Sequence, residues 1–134
     1  MLVITHTQLT WLCDAYPYEA VGLLLGTSDG VVRRCMPARN MAEAPRTQFV
    51  LDPQVWLDAD AIARRHDWHI LGVIHSHPDA PARPSPRDKA AGEVLGQQLR
   101  MVIVQIGARG MIDITADRKS TRLNSSHANI SYAV

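Results

Sequence analysis

The sequence predicts an α/β domain in which a mixed β-sheet packs against helices. Strand-like and helix-like stretches interleave along the chain, yet several neighbouring strands are joined by turns too short to hold a crossover helix. That argues for a mixed sheet rather than a purely parallel, doubly wound one. At 134 residues the chain has room for one domain with one sizeable core.

Taken in order, Leu2 to Ile4 is a short apolar run suited to a strand. Thr7 is placed to cap a helix through Leu9, Leu12 and Cys13, which Tyr16-Pro17 would end. AVGLLLG, residues 20–26, reads as a buried strand closed by glycine. Ser28-Asp29-Gly30 is turn chemistry, and VVRRCMPA is the returning strand of a hairpin. Thr47 to Leu51 alternates well enough for another strand. Asp52 as N-cap with Pro53 at the first helical position opens a helix of about 13 residues, whose apolar stripe is Val55, Trp56, Ala59, Ile62 and Ala63. HILGVIHSH, residues 69–77, is the strongest strand pattern, and Ser85-Pro86 opens a helix to about Gln98. Arg100 to Ile106 and Met111 to Thr115 form two last strands around the turn Gly107-Ala108-Arg109-Gly110.

Composition narrows the function classes. A hydrophobic share of 46% with 20% charged residues is that of an ordinary soluble globular protein. No apolar run approaches the roughly 20 residues that span a bilayer, and MLVITHTQLTW has no secretion-signal pattern. A formal net charge of +1 provides no electrostatic footprint for nucleic acid or an acidic membrane. Cys13 and Cys35 form no CxxC pair, so free thiols in a reducing cytoplasm are expected.

The last 18 residues differ in character. DRKSTRLNSSHANISYAV holds two of the three Asn, four of the seven Ser and one of the two Lys. It resembles the translation of a sequencing-adapter read. The expectation is a domain over residues 1–116, whose gene continued past Ala116, followed by an artefactual tail over 117–134 that is not part of the fold.

Chemistry concentrates in HSHPDAPARPSPRD, residues 75–88. Side chains at i and i+2 of a strand share a face, so His75 and His77 are presented together at a strand end. Paired imidazoles suit zinc, which needs one or two further ligands. The proline-stiffened loop after Pro78 delivers Ser85 and Asp88 to the start of the next helix. A carboxylate there could complete a three-ligand site that leaves a fourth position for water. Each part also has a plain reading: Ser85-x-x-Asp88 alone is a capping box, and Glu19 alone is a solvated residue before a strand. His6, His66 and His69 are not recruited.

The combination of Glu19, His75-x-His77-Pro78 and Ser85-x-x-Asp88 resembles the JAMM (MPN-plus, M67-type) metallopeptidases. Their serine follows the second histidine after seven residues, as Ser85 follows His77 here. EAVGLLLG and FVLDP resemble other segments of compact prokaryotic members, and the likeness covers roughly residues 1–116. Many bacterial relatives carry cysteine where this chain has Val21, a position outside the catalytic pattern.

The resemblance implies a JAMM/MPN (cytidine-deaminase-like) architecture. It also implies one zinc ion per chain held by His75, His77 and Asp88, Glu19 as general base, and Ser85 as donor to the oxyanion. The substrate it implies is a ubiquitin-like or sulfur-carrier protein with a Gly-Gly tail. Two alternatives stand beside this: the peptidase domain of a phage-tail or cell-wall enzyme fused to an NlpC/P60 hydrolase, and a non-catalytic MPN scaffold.

Overall fold

The computed structural model describes residues 2–95, 99–117 and 130–131. Its centre is a five-stranded sheet of order β3-β2-β4-β5-β6, formed by β2 (Val21–Gly26), β3 (Val32–Ala38), β4 (His69–Pro78), β5 (Arg100–Gly107) and β6 (Gly110–Asp117). Within it only β4 and β5 run parallel; the other neighbours are antiparallel, β2–β3 and β5–β6 through short turns. Gly110, at φ +119°, closes the β5–β6 turn in a conformation that favours glycine.

Alternation within the strands divides the core between the two faces. Val21, Leu23, Leu25 and Val73 face α2 (Gln54–His66) and pack with its Val55 and Ala59. On the same face Met101 and Ile103 cover Ala82 and approach Ala91 of α3 (Pro86–Leu95). Leu24, Ile74, Val102, Val104 and Ile106 point the other way, where Leu2, Ile4, Leu9 and Leu12 of the N-terminal segment cover them. The α2/α3 face therefore carries the odd-numbered residues of β2 and β5 and, beyond the register shift at Leu71, those of β4 from Val73 on, His75 and His77 among them.

The N-terminal segment corrects two expectations. After β1 (Leu2–Val3), Thr5 rather than Thr7 caps α1 (His6–Leu9), because Thr5 and Gln8 form a reciprocal capping box. The helix then tightens into a 3₁₀ segment over Thr10–Ala15. Thr47 to Leu51 is not a strand. It makes only an isolated bridge, Asn40 with Leu51, because its partners are side-chain and turn groups rather than a ladder. α2 begins at Gln54, with Pro53 in helical dihedrals at its N-cap position, and Asp52 Oδ1 accepts from the Gln54 N–H at 3.0 Å. The expected extension of α3 to Gln98 falls on residues 96–98, outside the described ones. Within 117–134 the structure describes Asp117, which ends β6, and β7 (Ile130–Ser131), which pairs in parallel with β1.

Candidate metal centre and cleft

β4 places both histidines. Register with β5 runs unbroken from Gly72 to Pro78, so His75 and His77 project from a paired central strand, and His75 is fully buried. Beyond Pro78, Asp79 turns the chain in the left-handed region at φ 56°. The turn is held by the Asp79 N–H to the Ile106 carbonyl (2.8 Å) and by the Tyr16 hydroxyl, which donates to Asp79 Oδ2 (2.7 Å). Ala82 is buried under the sheet, and the Thr115 hydroxyl donates to its carbonyl. The loop thus brings Ser85 and Asp88 back over the strand end.

At the start of α3 the plain and the chemical readings of Ser85-x-x-Asp88 coincide. Ser85 Oγ accepts from the Asp88 N–H at 3.1 Å, and Asp88 Oδ2 accepts from the Ser85 N–H at 2.8 Å. This capping box fixes the rotamer of a buried carboxylate aimed at the histidines. Asp88 Oδ1 lies 3.2 Å from His75 Nε2, Asp88 Oδ2 lies 3.0 Å from His77 Nε2, and the two ring nitrogens are 3.2 Å apart.

Asp88 thus meets the two rings with different oxygens, and Glu19, His75 and His77 also converge closely enough to hold a metal ion. Zinc–nitrogen bonds of about 2.0–2.1 Å imply an edge of about 3.3 Å between neighbouring ligand atoms, close to the 3.2 Å between the two Nε2 atoms. Electrostatics point the same way. His77 Nδ1 lies 2.8 Å from the Pro81 carbonyl, which can only accept, so Nδ1 carries the proton. In the neutral ring Nε2 then presents a lone pair to a second imidazole nitrogen and to a carboxylate oxygen. Convergent lone pairs at this distance need a proton or a cation between them. His75 is held by packing on Phe49, with ring centroids 4.3 Å apart, and its buried Nδ1 has no hydrogen-bond partner among the described residues.

Glu19 stands two residues before Val21, which opens β2 and pairs with His75, so its backbone runs beside the end of β4. Only 5% exposed, it has a carboxylate oxygen within 4.8 Å of ligand atoms on both histidines. Ser76, on the opposite face, fastens this junction. Its N–H donates to the Ala20 carbonyl (2.9 Å), and its Oγ accepts from the Ala20 N–H (2.8 Å).

The surroundings separate the two carboxylates. Burial pushes the Glu19 carboxyl up to about 7; His77 opposes the rise and the Asp88 charge adds to it. Burial pushes Asp88 up, but the adjacent His75 and His77 imidazoles and the Ser85 N–H outweigh it and hold it well below the usual carboxylate range. Burial lowers the His75 imidazole against the pull of Asp88. For His77 burial is outweighed by Asp88, the Pro81 carbonyl and Glu19, and its pKa is raised. One carboxylate is poised to exchange a proton near neutrality while the other stays ionised.

Glu19, His77, Ser85 and Asp88 line a cleft of about 280 Å³, whose walls include Gln48, Phe49 and Val50 and whose flanks carry Arg46 and Arg87. All five residues singled out in the sequence therefore meet at one place. His6, His66 and His69 are exposed and do not line the cleft. Sequence reasoning missed Asn40, Phe49, Ser76 and the Tyr16–Asp79 pair. Only Ser76, inside His75-Ser76-His77, carried any local signal.

This chain belongs to the JAMM/MPN family. A family model described as prokaryotic homologs of the JAB domain matches residues 4–122. Among curated relatives, a probable TtuB-protein conjugate cleaving protease from Thermus thermophilus is 40% identical over 86 residues, 64% of this chain and 56% of the relative. A desampylase from Haloferax volcanii is 36% identical over 75 residues, covering 54% of this chain and 53% of the relative. Tail tip assembly protein K of Escherichia phage N15 is 37% identical over 76 residues, 56% of this chain but 28% of that protein. The chain thus spans little more than half, or less, of the curated relatives it matches.

Solved structures agree on the fold. Protein DSY2949 from Desulfitobacterium hafniense superposes with a TM-score of 0.77 at 29% identity, over 100% of this chain and 95% of that one. AF2198, a JAB1/MPN domain protein from Archaeoglobus fulgidus, gives 0.59 at 20% identity over 94% of this chain and 97% of that one.

Proposed function

We propose that this domain is a zinc metallopeptidase that hydrolyses an amide or isopeptide bond at the C-terminus of a ubiquitin-like or sulfur-carrier protein. The observation that carries the reading is the convergence of the His75 and His77 Nε2 atoms with the Asp88 carboxylate, beside the buried Glu19 carboxylate. Those three residues would hold the ion, which supplies a Lewis acid and acidifies a water to a pKa of about 7. Glu19 takes a proton from the attacking water and delivers it to the leaving nitrogen, a task matched to a carboxyl poised near neutrality. Ser85 keeps its hydroxyl proton free, because Oγ serves the helix cap as an acceptor, and donates it to the oxyanion. Asp88 stays ionised, and the Pro81 carbonyl, accepting from His77 Nδ1, orients that ring.

The substrate class is supported by the names of the conjugate-cleaving protease and the desampylase. An extended Gly-Gly tail suits a narrow cleft because glycine permits close backbone approach. The proposed domain is residues 1–116, with the cytoplasm as its compartment; among the described residues no helix is long and apolar enough to cross a membrane. A second reading, the peptidase domain of a phage-tail or cell-wall enzyme, is favoured by the similarity to tail tip assembly protein K. A non-catalytic scaffold is disfavoured by the completeness of the site.

The test is zinc content per chain beside His77→Ala, followed by cleavage of a carrier protein bearing a C-terminal extension after Gly-Gly. About one zinc in the parent, little in the variant, and hydrolysis after the second glycine are expected. A folded parent that binds no zinc would overturn the reading. Cleavage of a peptidoglycan peptide in place of the carrier would favour the second one.

A further inference from the structure

We propose that Asn40 is the positioning residue for Glu19, linking the wall of the cleft to the base; the inference rests on the reading of Glu19 as the base. The Asn40 side chain makes every hydrogen bond that a primary amide can offer. Its Nδ2 donates to the carbonyl of Glu19 (3.0 Å) and to the carbonyl of Gln48 (3.0 Å). Its Oδ1 accepts from the N–H of Ala42 (3.0 Å) and from the N–H of Val50 (3.1 Å). The Glu19 N–H donates to the carbonyl of Pro45 at 2.7 Å, so both backbone groups of the base are held by the stretch from residue 40 to residue 50.

That stretch is not regular secondary structure, and the amide replaces the ladder it lacks. Gln48 and Val50 line the cleft, and Phe49 between them packs on His75. A substrate seated against this wall presses on the residues whose carbonyl and N–H share one amide with Glu19. Asparagine alone among short side chains has two donors and two acceptors in one plane. Aspartate keeps the acceptors and loses the donors. Alanine loses all four bonds.

The test compares Asn40→Asp and Asn40→Ala with the parent on the Gly-Gly carrier substrate, with zinc content and thermal unfolding measured alongside. Expected for Asn40→Asp is a full zinc complement, a KM little changed and a kcat lower by about 10- to 100-fold, the scale of a misplaced reacting group. Asn40→Ala should lose at least as much. An unchanged kcat in Asn40→Asp overturns the inference, as does a rise in KM alone. Loss of zinc or of cooperative unfolding in both variants makes the amide a general support of the fold and overturns it equally. Glu19→Gln, assayed in parallel, separates the two failures: full activity there overturns the reading of the base itself.

Discussion

The two sides of the cleft are built by different means. His75, His77 and Asp88 sit in regular structure, two on a central strand paired on both sides and one in the first turn of a capped helix. Their convergence follows from strand period and cap geometry, both of which are stiff. Glu19 lies outside any strand, before β2, and its backbone is held by one amide, one proline carbonyl and the Ala20–Ser76 junction. The metal side should therefore tolerate change near it, whereas the base side should lose rate without losing the ion.

The largest effect expected is that of His77→Ala. Removing one imidazole of the proposed ligand set should abolish both zinc binding and turnover, as measured by metal analysis and carrier cleavage. Next comes Glu19→Gln, which should keep zinc and lower kcat by about 10²–10⁴-fold, the usual worth of a general acid–base group. If zinc were lost with it, the division between the two sides would fail.

Ser85 belongs to both sides, and two substitutions separate its roles. Ser85→Ala and Ser85→Gly should each lower kcat by about 10²–10³-fold through the missing oxyanion donor. Only Ser85→Ala should also destabilise the fold by about 1 kcal/mol, because glycine is tolerated at an N-cap and alanine is not. Equal unfolding midpoints for the two would show that the cap contributes little.

The smallest effect concerns pH. An acid whose pKa is raised on folding binds more protons in the folded state, so it subtracts stability as pH rises from about 4.5 through about 7. In chelator, Glu19→Gln should match the parent near pH 4 and exceed it at pH 8 by on the order of 1–3 kcal/mol. Asp88 has the opposite sign: its lowered pKa contributes stability above the ordinary carboxylate range, which is lost as pH falls. Urea titrations at the two pH values measure the difference; a Glu19→Gln advantage that shrinks with rising pH would contradict the burial of Glu19.

Much of the sheet was legible because period and punctuation agreed. HILGVIHSH and AVGLLLG are apolar runs ended by proline and glycine, and they became β4 and β2. Where two local signals competed, reading along the chain failed. Thr5 and Thr7 can both cap a helix, and the Gln8 side chain decided for Thr5. Thr47–Leu51 alternates like a strand, but no strand lies beside it to complete a ladder.

By itself the sequence determined which chemical groups are available and how each is carried: two histidines on one strand face, a carboxylate in a helix cap, a glutamate before a buried strand. Those are consequences of periods of two and of short-range capping, which need no distant partner. Only the tertiary structure decided that Glu19 is buried enough to lie near neutrality, that Phe49 packs on His75, and that Asn40 ties the cleft wall to the base. These contacts join residues far apart in the chain, and no local pattern of residue types encodes a burial or a hydrogen bond completed by packing.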